Sequence, residues 1–577
     1  MIAITGYGII CAIGNNADEV LDSLQQSQSG IGSMHYLKTK HSNLPVGEVK
    51  LSNGEMKSLL DVPSDVSYSR TSLMGAIAIR QAIQSAGVAL KGKRVVLISG
   101  TTVGCMDITE QLYSEMRFNA DLLSLPLYND CGRSTSEMAM IAGIEDVGLC
   151  TISTACSSAL NSIIVGAEML KNDEADVVIA GGSEALSRFH LNGFNSLMIL
   201  DSERCRPFDD TRAGLNLGEG AAFVVLQKDA PNAKAYIAGY GNRCDAFHQT
   251  ASSEDGKGAY LAMQDALSMA RLTADDIQYV NAHGTGTPNN DLSESKALLH
   301  VFGDKMLEVS STKSFTGHTT SASGSIETVI CLLAMQHDFT PGNLGWKNQI
   351  VGGVTPTPGH TGVNLDHVIC NSFGFGGNDS SLILSKYDEP SVSEHYPDIK
   401  VVELARDEVK SKDELVALKE FVSPMESRRM SKLMKAAILS AFRALKKAGI
   451  ESPDAIITAT SRGMLEFSQK FLDDIINNGE EMLKPTLFMQ STHNTLGSEI
   501  AIRCKCHGYN ITYSCGDDSE KWAMRDAVRL LQTGKAKSVL VGCFDESTFL
   551  TDNYCKKAGK PNYPEIFAVT HILVSQN

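Results

Sequence analysis

Three residues have the types and settings needed for covalent carbonyl chemistry: Cys156, His283 and His318. Cys156 lies in TISTACSSALNSIIVGAEML, residues 151–170, where an apolar strand-like run meets a helix-period stretch. That turn sets the sulfur at a helix N-terminus, whose free N–H groups and positive dipole end favour a thiolate. A thiol pKa lowered from about 8.5 by a unit or more is the expectation, and the same N–H groups could hold an oxyanion. Taken alone, a cysteine here reads equally well as a buried, inert one. His283 in VNAHGTGTPNNDLSE and His318 in STKSFTGHTTSASGSIE each follow a short strand-like or polar run and precede glycines, a setting for loops at strand ends where catalytic groups gather. Two such histidines out of 14, with a cysteine at a strand–helix turn, favour a nucleophile with imidazole partners. NSFGFGGND, residues 371–379, is a glycine-rich strand exit that a phosphate-cradling loop or a plain tight turn would resemble.

The elements that must position these groups show in the apolar pattern. Runs at 94–99 (RVVLIS), 177–180 (VVIA), 221–226 (AAFVVL) and 368–371 (VICN) alternate with amphipathic segments and Gly-rich turns. Short apolar runs of this kind indicate an α/β protein whose strands are covered on both faces. Residues 71–87, TSLMGAIAIRQAIQSAG, read as a helix stopped by Gly87. The 577 residues suggest about three to four domains of ~150 residues, or fewer large ones. With 43% hydrophobic and 20% charged residues, disordered and fibrous classes are excluded. A net charge of −16 without a basic block disfavours nucleic-acid binding, and no apolar run approaches a membrane span. The opening MIAITGYGII has no basic n-region, so a cytoplasmic enzyme is expected. The 14 cysteines are scattered; Cys504 and Cys506 are too close for a zinc knuckle, and most read as reduced core residues.

A composition shift near residues 386–400, in SKYDEPSVSEHYPDI (385–399), marks a linker, and an internal repeat follows it. Gly449 stands 362 residues after Gly87, Glu499 the same distance after Glu137, and Cys515 359 after Cys156. Residues 401–577 therefore read as a second copy of the first half. Cys515 takes the repeat's nucleophile position, but in YSCGDD rather than TACSSA, and two neighbouring carboxylates disfavour a thiolate. No HGTGT, GH or GFGG counterpart follows, so this copy is expected to be catalytically dead.

Together AITGYGIICAIGNN, TACSSA, CRPFDDTRAGLNLGEGAA, NAHGTGTPNND, STKSFTGH and NSFGFGGND make residues 1–390 resemble an elongating β-ketoacyl-[acyl-carrier-protein] synthase of the thiolase superfamily. A Cys-His-His set departs from initiating synthases, which pair Cys with His and Asn, and from thiolases, which use a second cysteine. The resemblance implies a thiolase-like layered α-β-α-β-α fold with halves at about 1–230 and 231–390, a linker at 391–400, and a third, half-thiolase α/β domain over 401–577. It implies that Cys156 accepts an acyl group from acyl carrier protein, and that the N–H groups of Cys156 and Phe375 hold the oxyanion. His283 and His318 then stabilise the enolate left when malonyl-carrier loses CO2. Lys313 and Glu327 match a charged pair that orders the histidine loops, and Phe375 matches a gating aromatic. No metal or organic cofactor is implied. The fused copy resembles chain-length-factor partners of type II polyketide synthases and the truncated synthase-like domains of bacterial aryl polyene and flexirubin-type pathways. An intramolecular pseudo-dimer is the arrangement this suggests, with a homodimer as the other possibility. The alternative is an ordinary fatty-acid elongating synthase with a non-catalytic tail. An acidic carrier needs cations near the site mouth, for which Lys57, Arg70, Arg133 and Arg204 are candidates.

Overall fold

The computed structural model describes residues 1–116, 130–303, 308–388, 399–557, 559 and 563–576. Among these, 15 strands form one continuous sheet in three groups of five. Across the sheet, the first group is Lys400–Val409, Ile566–Gln576, Ser538–Glu546, Ala455–Ala459 and Tyr509–Tyr513. The second is Val147–Ile152, Val95–Gly100, Val177–Glu184, Gly220–Lys228 and Ile2–Cys11. The third is Ala235–Cys244, Asn378–Ser385, His367–Gly374, Tyr279–Asn281 and Glu308–Ser310. The second and third groups meet only where Ile2, Ala3 and Ile4 pair with Ile237, Tyr236 and Ala235. Packed between these two groups are the helices Ser158–Lys171 and Ser323–Gln336, each buried along its length except for its last residue. Helices apolar on all sides belong in such a middle layer. They cross closely: a Cβ on Gly324 would lie 2.7 Å from the Leu160 Cβ.

The repeat in the sequence is a repeat in the structure. Ser69 caps the helix Arg70–Ala86 by accepting the Ser72 N–H, and Gly87 at φ 61° ends it. Ser431 caps Lys432–Ala448 in the same way, and Gly449 at φ 68° ends that helix. The first two strand groups are mirrored about their junction, where Ile152 pairs antiparallel with Tyr513. Ser153 N–H donates to the Thr512 carbonyl and Ser514 N–H to the Thr151 carbonyl, both at 2.9 Å. Exchanging the two copies turns one of these bonds into the other, so a local two-fold relates them. The edge strand that carries the nucleophile loop is thus covered by its own repeat, which removes an exposed ladder of unpaired N–H and C=O groups.

The expected linker at 391–400 lies, as far as residue 398, outside the described residues, and Lys400 already opens a strand. Among the described residues, no helix is long and apolar enough to cross a membrane.

Candidate active site

The strand Val147–Ile152 ends in a tight elbow. Ala155 takes φ +52°, a left-handed conformation costly for a residue with a Cβ, and a single 3₁₀ turn Ala155–Ser157 leads into the helix Ser158–Lys171. Hydroxyl groups hold this shape. Thr154 N–H donates to Ser158 Oγ at 2.9 Å, Ser158 Oγ donates to the Ala155 carbonyl at 2.6 Å, and Asn161 Nδ2 donates to Thr154 Oγ1 at 2.9 Å. Cys156 is presented at the turn, with its own N–H and that of Phe375 directed at the sulfur.

The same elbow recurs at Thr320 (φ +47°) before Ser323–Gln336, and at Gly516 (φ +59°) before Ser519–Gln532. In the last copy Cys515 N–H donates to Ser519 Oγ at 2.8 Å, the bond that Thr154 makes to Ser158. Cys515 therefore stands where Thr154 stands, and Asp517 holds the place of Cys156. The expectation that Cys515 occupies the nucleophile position is corrected: the copies run 361 residues apart here, because the turn and its serine cap set the register rather than the cysteine.

His318 follows the short helix Lys313–Thr316, and its Nε2 lies 3.2 Å from the Cys156 sulfur while Nδ1 meets Ser323 Oγ at 3.0 Å. The His283 ring lies 5.3 Å from that of His318 at an 83° interplanar angle. The Cys156 sulfur and one nitrogen from each ring fall within 4.8 Å of one another. Glu294 fixes the His283 loop by accepting the N–H groups of His283 and Gly284 at 2.8 and 2.7 Å. Lys313 Nζ sits 3.3 Å from His283 Nδ1 and 2.5 Å from Glu327 Oε1, with all three side chains buried. Because the lysine nitrogen donates, Nδ1 of His283 must accept, which leaves the proton on Nε2 facing the site. A thiolate-binding metal ion would find three ligands here, but the Lys313 cation beside His283 opposes it.

Burial sets the protonation states. It pushes the Cys156 thiol up to about 11, against the opposing pull of the Phe375 N–H, Lys313 and its own N–H. The expected lowering is thus overturned: desolvation of a fully enclosed sulfur outweighs the helix terminus. Burial, and then the Lys313 charge, hold both His283 and His318 well below their ordinary 6.5, so both rings are neutral at pH 7. A thiol with a pKa near 11 is ionised to only about one part in 10⁴ at pH 7, and that fraction rises about tenfold per pH unit. Iodoacetamide alkylation of Cys156, followed by peptide mapping, should therefore accelerate about tenfold per unit from pH 7 to 10. A plateau beginning near pH 7 would instead mean a resting thiolate–imidazolium pair.

Phe375, half-buried, stacks on Phe194 with centroids 5.6 Å apart, and Phe194 meets His318 edge-on at 6.4 Å. Phe194 belongs to the helix Arg188–Ser196, which packs against the fused copy. Phe189 lies 5.2 Å from Phe471, and Phe194 5.4 Å from Phe488. The Phe488 ring fills the space a Cβ on Gly193 would need, 2.2 Å from it. Ser323, Glu294, Phe194 and Phe488 join the site only in the structure. Ser323 and Glu294 do lie within the two histidine motifs, whereas the phenylalanines carry no pattern of their own.

Of the four cations proposed for a carrier, one is buried. Arg70 is 7% exposed, with Nε and Nη2 on Glu219 at 2.9 and 2.7 Å, so it is a structural ion-pair residue and is corrected out of the docking set. Arg133 pairs with Glu137 at 2.7 Å, Lys57 Nζ donates to the Ser64 carbonyl at 3.0 Å, and Arg204 is exposed.

Comparison with known proteins adds to this geometry. Residues 1–232 match the family model described as the beta-ketoacyl synthase N-terminal domain, and 234–347 that of the C-terminal domain. Residues 404–576 match a second model of the N-terminal domain. The chain is 31% identical over 414 residues to 3-oxoacyl-[acyl-carrier-protein] synthase 2 of Vibrio harveyi, covering 67% of this chain and 99% of the relative. It is 29% identical over 417 residues to the protein of the same name from Staphylococcus aureus strain COL, covering 67% and 98%. The solved ketosynthase ApeO in complex with its chain length factor ApeC, from Xenorhabdus doucetiae, aligns with TM-score 0.57 at 29% identity over 67% of this chain and 98% of that one. The PfaC keto synthase–chain length factor covers 100% of this chain with 78% of its own, at TM-score 0.78 and 18% identity, a likeness of fold.

Proposed function

This chain belongs to the β-ketoacyl synthase family, and on that basis we propose that Cys156, His283 and His318 carry its decarboxylative condensation while residues 401–577 take the place of a chain-length-setting partner. The observation that carries the first part is the 3.2 Å contact of His318 Nε2 with the Cys156 sulfur, with a second neutral imidazole beside it.

In the first half-reaction the Cys156 sulfur attacks the thioester carbonyl of acyl-carrier protein and passes its proton to His318 Nε2. The tetrahedral oxyanion accepts the N–H groups of Cys156 and Phe375, and the carrier thiolate leaves, taking that proton. In the second, malonyl-carrier loses CO2. The enolate oxygen accepts hydrogen bonds from His283 Nε2–H and from His318 Nε2–H, the latter once His318 has passed, after the carrier thiol departs, to its other neutral tautomer, in which Nδ1 accepts the Ser323 hydroxyl, so neither donor needs a charge. The new carbanion attacks the Cys156 thioester, the C–S bond breaks, and the released thiolate takes a proton to restore the thiol. The product is β-ketoacyl-carrier, longer by two carbons, and no step calls on a cofactor. An acidic carrier would meet Lys57 and Arg204 rather than Arg70.

For the second part, support comes from the mirrored junction and from Phe471 and Phe488 standing against the helix that carries Phe194. A phenylalanine wall there would limit an acyl chain growing on Cys156, in elongation of the polyketide or polyene type. Asp517 in place of a nucleophile fits a copy that shapes the site and does no chemistry. Phe488→Ala should lengthen the main product by at least one two-carbon unit, at a stability cost of about 3–5 kcal/mol. Product analysis with purified carrier, ketoreductase and dehydratase checks this. Unchanged product length in a folded variant would remove the fused copy from chain-length control.

A further inference from the structure

The catalytic elbow and the glycine-rich loop of residues 374–377 both come from residues 1–390, yet the loop is held from outside them. Asn494, 1% exposed, opens the helix Thr495–Cys504 of the fused copy. Its Nδ2 donates to the Phe375 carbonyl at 2.8 Å and to Asn378 Oδ1 at 2.8 Å, spanning the two ends of the glycine pair Gly376–Gly377. The fit is close. Gly376 sits at φ +87°, and a Cβ there would lie 2.1 Å from Ser498 Oγ, one turn further along the same helix. On the other side of the loop, Gly376 N–H donates to the Gln249 carbonyl at 2.8 Å. These contacts fix the loop where it bends, whereas Asn494 hydrogen-bonds the backbone carbonyl of the residue whose N–H faces the nucleophile and whose ring stacks on Phe194.

We propose that Asn494 is a positioning residue for the condensation: through the Phe375 carbonyl it orients the Phe375 N–H toward Cys156, so that the fused copy completes the oxyanion site as well as lining the acyl wall. A peptide with two glycines after it has little stiffness of its own, and an oxyanion donor is useful only when it is held before the charge develops. An amide that donates to one residue's carbonyl and to a side chain three residues on restores that stiffness. The proposal rests on the reading of the Phe375 N–H as an oxyanion donor.

The test uses the full chain with Asn494→Leu, which keeps the size and removes both donors, and Ser498→Ala, whose hydroxyl is 3.5 Å from Asn378 Oδ1 and does not contact the Phe375 carbonyl, as a control. Acyl transfer from acyl-carrier protein to Cys156 is followed by mass spectrometry in single turnovers. Asn494→Leu should lower the transfer rate about ten- to hundredfold with the apparent carrier affinity unchanged, while Ser498→Ala stays within about twofold. A second readout separates positioning from general damage. Because the Phe375 N–H helps hold the thiol down, the alkylation profile of Cys156 should move to higher pH in Asn494→Leu and not in Ser498→Ala. Should Asn494→Leu fail to fold, Asn494→Asp, which keeps the shape and loses the N–H donors, takes its place. A folded variant with unchanged transfer rate and unchanged alkylation profile would overturn the proposal. Failure of the unmutated chain to form any acyl-Cys156 would instead overturn the reading beneath it.

Discussion

Cys156→Ala removes the sulfur that the proposed mechanism acylates, so condensation should fall by about 10⁴- to 10⁶-fold. The size of the effect follows from what remains. The N–H groups of Cys156 and Phe375 and both imidazoles would still be in place, but without the thioester the carbanion has no electrophile held beside it. Cys205, a buried thiol in contact with Lys313, cannot substitute. Burial pushes it up to about 12 and it donates to the Lys313 carbonyl at 3.5 Å. Measured by β-ketoacyl-carrier formation, residual turnover above about 1% of the unmutated rate would contradict this assignment.

His283→Ala should separate the two half-reactions. On the proposed mechanism, acyl loading uses the Cys156 sulfur and His318, which touch each other without His283. Decarboxylation needs two donors at the enolate oxygen, and His283 is the one whose tautomer Lys313 dictates. The variant should therefore accept an acyl group at close to the normal rate and then stall, with overall condensation down about 10²- to 10³-fold, the effect of losing one such donor. Rapid-quench measurement of the acyl-enzyme checks it, since the adduct should accumulate under turnover. His318→Ala, by contrast, should slow both halves. Equal effects of the two variants on loading would mean that the roles have been assigned wrongly.

Much of this arrangement is legible in the residue order. The two capped helices that end at Gly87 and Gly449 show by their period and their stops, because apolar spacing and a left-handed glycine are local signals. The meeting of Cys156 with His283 and His318 follows from motif resemblance rather than from spacing, since the three stand on separate loops far apart in the chain. What escapes the sequence is whatever depends on distant partners. Arg70 looks like a free surface cation until Glu219, 149 residues on, closes over it. Cys515 looks like the counterpart of Cys156 because a cysteine is the more conspicuous landmark, whereas backbone caps show Asp517 in that place. The helix terminus at Cys156 is read correctly, but its electrostatic effect is not, because the extent of burial depends on how the layers close over the turn. Asn494 carries no motif at all. Its role comes from the antiparallel junction at Ile152 and Tyr513, which brings the fused copy against the glycine-rich loop.

On the proposed mechanism an acyl chain rides on one sulfur and leaves it only when a malonyl unit is decarboxylated beside it. Intact-protein and peptide mass spectrometry of the full chain, first with acyl-carrier protein and then with malonyl-carrier added, measures this directly. One acyl group should appear on Cys156, none on Cys515, and the adduct should vanish as an equal amount of β-ketoacyl-carrier forms. An acyl group on a different residue, or an adduct on Cys156 that malonyl-carrier fails to discharge, would contradict it.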